Sequence, residues 1–206
     1  MPGRPSLAIT HREFRVQTDR LRALCQHIPA FNPDYRMLLA EMIALQAFYS
    51  FETAIEDIAA KLVCGANYGD GTAPTVTCAA RSIADALHSM RTVGRPRPKG
   101  ILKWNKTRDI TDNVRHMLAT TEAFCTACRN HGSRLNEIRT VRNHIAHNNR
   151  DTKREFAGVV RRRLGGLPQR LPRAGAFVLR EFTPGVLLLV EFVATLEAIV
   201  KDAAKL

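Results

Sequence analysis

Acidic residues are scarce in this sequence: Asp and Glu number 19 against 31 Lys and Arg, a formal net charge of +12. That excess reads equally as solubility or as the mark of a polyanion partner, nucleic acid foremost. Other scarcities exclude more. There is no run of about 18 uncharged apolar residues of the kind a membrane helix needs. The nearest, Val186 to Val200, is broken by Glu191 and Glu197, so the expectation is no membrane association. Met1 to Arg15 carries charges where a secretory signal needs an apolar centre. The five cysteines are odd in number and scattered, which without such a signal predicts reduced thiols and a cytoplasmic location.

Several chemical signatures are also missing. There is no GxxxxGK[ST], no GxGxxG after a strand and no GxSxG elbow, so neither a phosphate-cradling loop nor a hydrolase nucleophile is indicated. Gly69-Asp70-Gly71 reads as a turn, and His11, His27, His88 and His116 stand alone. Cys125-Thr-Ala-Cys128, with His131 at the next helical step, is a single CxxC. Zinc usually takes four ligands, often from two such pairs. On a helix these cysteines share a face with Phe124 and read as small core residues. No metal and no cofactor are expected.

What is present is helix. At 206 residues the chain fits one domain, 1–206, with a core over about 33–150, an N-terminal helical arm over 1–30 and a C-terminal helix over about 185–205. Pro33 to Cys64 is the strongest segment, with Asn32 as cap, Pro33 at the first helical position and Gly65 as stop. Its apolar residues recur at Leu38, Met42, Leu45, Tyr49, Ala54, Ile58 and Leu62. Further helices are expected over 13–27, 74–90, 111–129, from Ser133 through Ile145, and from Pro184 to about Lys205. No strand pair is expected; 176–182 could form one strand, and one strand makes no sheet. The C-terminal segment Val186 to Val193 is apolar nearly all round, as suits a helix that is deeply buried or shared between chains.

Two stretches hold basic residues and no acid. Arg91 to Arg108 has seven, with two glycines, two prolines and the only tryptophan, Trp104; Arg161 to Gly175 has five. Both read as exposed loops, either solvated connectors or contacts for RNA phosphates and bases. The candidate contacts are Arg95, Arg97, Lys99, Lys103, Trp104, Lys106, Arg161, Arg162 and Arg163, with Arg139 from the helix between the loops.

That helix carries Ile138-Arg-Thr-Val-Arg-Asn-His-Ile-Ala-His147. On a helical wheel Leu135, Ile138, Val141 and Ile145 make an apolar stripe, Arg142 lies at its edge, and Arg139, Asn143 and His147 fall on the opposite side. Histidine exchanges protons near neutral pH, arginine offers charge and a fork of donors to phosphate, and asparagine can orient either. The trio suits cleavage of an RNA phosphodiester by its own 2′-OH, with His147 as base or acid and Arg142 steadying the charged transition state. Such residues near a helix end also simply bind the last carbonyls, and spacing alone does not separate the two readings.

Arg142-Asn143-His144-Ile145-Ala146-His147 resembles the R-x4-6-H signature of the HEPN superfamily (higher eukaryotes and prokaryotes nucleotide-binding) in its RNxxxH form. Phe51-Glu52-Thr53-Ala54-Ile55-Glu56-Asp57 resembles the WExFIED helix of several HEPN ribonuclease groups, with Phe51 for Trp. The resemblance covers about 34–150. It implies an all-α fold, a HEPN-like four-to-five-helix bundle that dimerises, here with basic Gly/Pro-rich loops. It implies a metal-independent endoribonuclease with Arg142 and His147 catalytic, Asn143 supporting them and Glu52 as acidic helper. Asp57 turns away from the face shared by Glu52 and Glu56. The partners implied are RNA, a second copy and an antitoxin or other protein, in a toxin or anti-phage role. The alternative is a non-catalytic HEPN-like module that binds RNA, a nucleotide or a protein. In HEPN toxins silenced by nucleotide transfer a Tyr lies two residues after the histidine; here that position is Asn149.

Overall fold

The computed structural model describes residues 5–166 and 168–206. Among them the chain is mostly helical: α1 Leu7–His27, α2 Pro33–Val63, α3 Ile83–Thr92, α4 Thr107–Val114, α5 Ala123–Asn130, α6 Gly132–His147, α7 Arg150–Leu164, α8 Ala174–Val178 and α9 Leu188–Ala204. A short hairpin, β1 Glu181–Thr183 and β2 Val186–Leu187, precedes α9. The chain divides into two compact units. One comprises 1–15, 51–133 and 197–206, the other 16–50 and 134–196.

In the first unit Phe51, Ile55, Ile58 and Leu62 of α2 are fully buried, as are Ile110, Val114, Met117 and Phe124. Each such side chain contributes about 1.5–3 kcal/mol by leaving water. Polar ties hold the rest. Asp57 accepts from the Thr10 hydroxyl at 2.5 Å and pairs with Lys61 at 2.6 Å. The Tyr68 hydroxyl donates to Glu122 at 2.7 Å, and Glu122 also accepts from the Thr75 amide at 2.8 Å.

These ties explain two departures from the sequence reading. The stretch 74–82 is irregular, with Val76 bridging Leu118, and α3 starts only after Ser82, whose hydroxyl accepts from the Asp85 amide. The helix expected over 111–129 is two, α4 and α5. Between them Glu122 turns inward to Tyr68 and Thr75.

In the second unit Phe48, Leu135, Ile138, Val141, Phe156, Phe177, Leu188, Leu189 and Val193 are buried. The helix α7 lies where the sequence reading places no helix and, at its end, a loop. Asn149 and Thr152 cap it reciprocally, Gly165 in a left-handed conformation ends it, and Arg161, Arg162 and Arg163 occupy its last turn, where positive charge suits the helix dipole. The hairpin also differs from expectation. Val186 and Leu187 pair as β2 across a turn at Pro184-Gly185, so α9 begins at Leu188.

The helix α2 is long and apolar enough by composition to cross a membrane, with a mean hydropathy of 1.2 over its most apolar 18 residues. The core takes much of this surface. Toward the N-terminal end, however, Tyr35, Leu38, Met42 and Tyr49 are 62%, 53%, 58% and 63% exposed. They stand at helical spacing and leave an apolar stripe on the second unit.

Candidate functional site

The helix α6 buries Leu135, Ile138 and Val141, as the wheel predicts, but the next core position falls to His144 and not to Ile145. The step of three residues simply continues. His144 is 8% exposed, and its ring stacks on Phe156 with centroids 4.5 Å apart and planes 17° apart. Burial lowers its pKa, the Glu41 carboxylate opposes this and Lys153 adds to it, so the neutral imidazole is favoured. Its Nδ1 is buried with no hydrogen-bond partner among the described residues.

Arg142 is half-buried. Its guanidinium lies over the Phe48 ring, 5.6 Å from the centroid, and donates to Asn143 Oδ1 at 3.2 Å. His147, the last residue of α6, is exposed. Five residues apart on a helix, Arg142 and His147 project about 140° from each other and sit about 7.5 Å apart along the axis. Asn148 follows with a φ of 37°, and Asn149 is the cap of α7, which is its role in place of a tyrosine. Arg139 donates to Asn136 Oδ1 at 3.2 Å and lies 4.0 Å from Glu155. Glu52 is half-buried on α2, in the first unit; beside it Glu56 accepts the Trp104 indole N–H, and Asp57 is held by Thr10 and Lys61.

The first basic stretch corrects its reading as an exposed loop. Trp104 is 3% exposed, so its ring is packed away from solvent and not presented to a base. The Arg95 side chain is 5% exposed; it pairs with Asp112 at 3.1 Å and donates to the Met90 and Asp112 carbonyls. Lys99 reaches the same carboxylate at 2.5 Å and Asn113 at 2.9 Å. Burial pushes the Asp112 pKa up, yet the hydrogen bonds from Lys99 and Arg95 outweigh it and hold the group below its ordinary value. Lys106 lies 3.6 Å from Asp109, whereas Arg97 and Lys103 are exposed.

The second stretch is split. Arg163 is bound inward to Glu137 at 2.5 Å and Glu191 at 3.4 Å, with Phe182 beneath it. Arg161 and Arg162 are exposed on α7. Further on, Arg170 and Arg173 join Glu41, His144, Asn148 and Lys153 around a cleft of about 470 Å³ at the end of α6. The sequence reading names the helical end of this stretch as the contact surface and misses the cleft. The signal is the acid-free Arg170-Leu-Pro-Arg173; its meeting with His144 depends on the tertiary fold.

The CxxC cysteines are buried, which pushes the Cys125 thiol up to about 11 and that of Cys128 to about 12. His131 turns instead to Asp202, 2.8 Å away. Among the described residues no three His, Cys, Asp or Glu side chains converge as a metal site requires. Compared with protein-family models, curated proteins and solved structures, the chain matches none.

Proposed function

We propose that the chain is a HEPN-type, metal-independent endoribonuclease acting as a dimer. The observation that carries this reading is the placement of the RNxxxH residues on α6. Arg142 is fixed between Phe48 and Asn143, while His147 stands free in solvent at the helix end, turned about 140° away. That divergence supports a composite site, in which two chains would each lend an arginine to the other's histidine. The exposed stripe of Tyr35, Leu38, Met42 and Tyr49 in the same unit supplies an apolar surface for the second copy. In such a site the histidine takes the 2′-OH proton and the guanidinium steadies the charged phosphorane. A toxin or defence role, with an antitoxin-like partner, belongs to the same reading.

A non-catalytic module that binds RNA, a nucleotide or a protein is the second reading, favoured by the half-burial of Arg142. His147→Ala separates the two, because an exposed residue at a helix end is removed without harm to the fold. The ribonuclease reading expects cleavage of total RNA in EDTA by the wild type and none by the variant at an unchanged melting temperature. Cleavage retained by His147→Ala, or RNA binding without cleavage by the wild type, sinks it.

A further inference from the structure

We propose that the cleft at the end of α6 binds a phosphate monoester, gripped by Lys153, Arg170 and Arg173 above the buried ring of His144. Neither Arg142 nor His147 lines this cleft, so the site stands whether or not the chain cuts RNA.

The charge is the first argument. Three cations face one carboxylate, Glu41, and that carboxylate already accepts the Gly175 amide at 2.8 Å. Arg173 is partly balanced by Asp34 at 3.3 Å. Lys153 and Arg170 are exposed and have no ion-pair partner among the described residues. With Glu41 counted against them the cations still leave the mouth positive, which suits an anion, and a guanidinium fork fits phosphate oxygens.

His144 is the second and independent argument. Buried polar atoms nearly always find a hydrogen-bond partner, yet its Nδ1 has none while the ring borders the cleft. Burial favours the neutral imidazole, which carries one donor and one acceptor, and a ligand that drew the ring toward the cleft would give the sealed Nδ1 the partner it lacks. Ile145, Leu171, Pro172 and Ala174 give the cleft an apolar wall for the organic part of the ester. At about 470 Å³ the space suits a small molecule, within the usual range of about 300–1,000 Å³. A backbone diester would instead track along a surface; a terminal phosphate enters a cleft.

Calorimetric titration of the full chain with phenyl phosphate tests this. Binding should weaken as salt is raised and fall at least about tenfold in Lys153→Ala/Arg170→Ala, two exposed positions whose loss leaves the fold intact. The pair Arg12→Ala/Arg20→Ala, which removes the same charge outside the cleft lining, should leave it unchanged. Phenyl phosphate should also shift the ¹⁵N resonances of the His144 ring in the wild type. Displacement by a 5′-phosphorylated but not a 5′-hydroxyl oligoribonucleotide assigns the phosphate to an RNA end; displacement by neither assigns it to a small ester, and both support the site. No binding at millimolar ligand, equal loss in the two double variants, or a silent His144 overturns it.

Discussion

The two acid-free basic stretches look alike in sequence and behave differently in the fold. In the first, 91–108, the charges nearest the core are consumed within the chain. Arg95 and Lys99 share Asp112, and Trp104 is packed down onto Glu56. In the second, 161–175, Arg163 is consumed within the chain and Arg173 is paired at the surface with Asp34, yet Arg170 and Arg173 open onto a cleft. The difference lies in where the acids are. Asp112 and Glu56 both lie outside the stretch whose residues they hold, so a stretch without acids is not a stretch without partners. Net charge per segment therefore measures an electrostatic field but not its availability. A desolvated, paired guanidinium has little left for a polyanion.

The largest expected effect attacks the consumed charges. Asp112→Ala leaves the nearly buried Arg95 guanidinium without its carboxylate and should destabilise the protein by about 2 kcal/mol, read as a lower urea midpoint at unchanged slope. This effect has a defined pH dependence. The folded pKa of Asp112 lies below its ordinary 3.8, so its contribution is complete well above that value and is lost as pH falls through the folded pKa. The gap between wild type and variant should therefore close on acidification; a gap that persists in acid means that Asp112 acts by packing alone.

Next comes Trp104→Phe, which keeps an aromatic body but removes the N–H bound to Glu56. A cost of about 1–2 kcal/mol in thermal unfolding with RNA affinity unchanged is expected. A fall in RNA affinity at constant stability would return Trp104 to the role of a base-stacking residue. The smallest effect concerns the open charges of the second stretch. Arg161→Ala/Arg162→Ala should leave stability within about 0.5 kcal/mol and reduce the slope of RNA affinity against salt by about one unit for each phosphate released. If the same change in slope follows instead from replacing Arg95 or Lys99, the comparison fails.

Helices with strong local grammar are legible in the sequence. The Asn32-Pro33 start of α2 and the apolar stripe of α6 as far as Val141 both fall where that grammar puts them. The helix α7 escapes because only Phe156, Val159 and Val160 mark its buried side amid a highly charged segment, although Asn149 and Gly165 punctuate its ends. His144 reads as helix-end decoration because a wheel cannot say by how many degrees a helix is rolled against its neighbours. The cleft is illegible for a deeper reason. Its walls come from α2, α6, α7 and the segment before α8, and no pattern within any one of them reports the meeting.

Gly175 closes against α2 so tightly that a Cβ there would run into the Met37 carbonyl, and its amide is tethered to Glu41. The neighbouring Arg173 and Ala174 wall of the cleft therefore takes its position from a missing methyl group. Width and charge number at this site are consequently separate inheritances: Gly175→Ala would shift the wall without adding or removing a charged group, so selection can retune what fits without changing how much charge attracts.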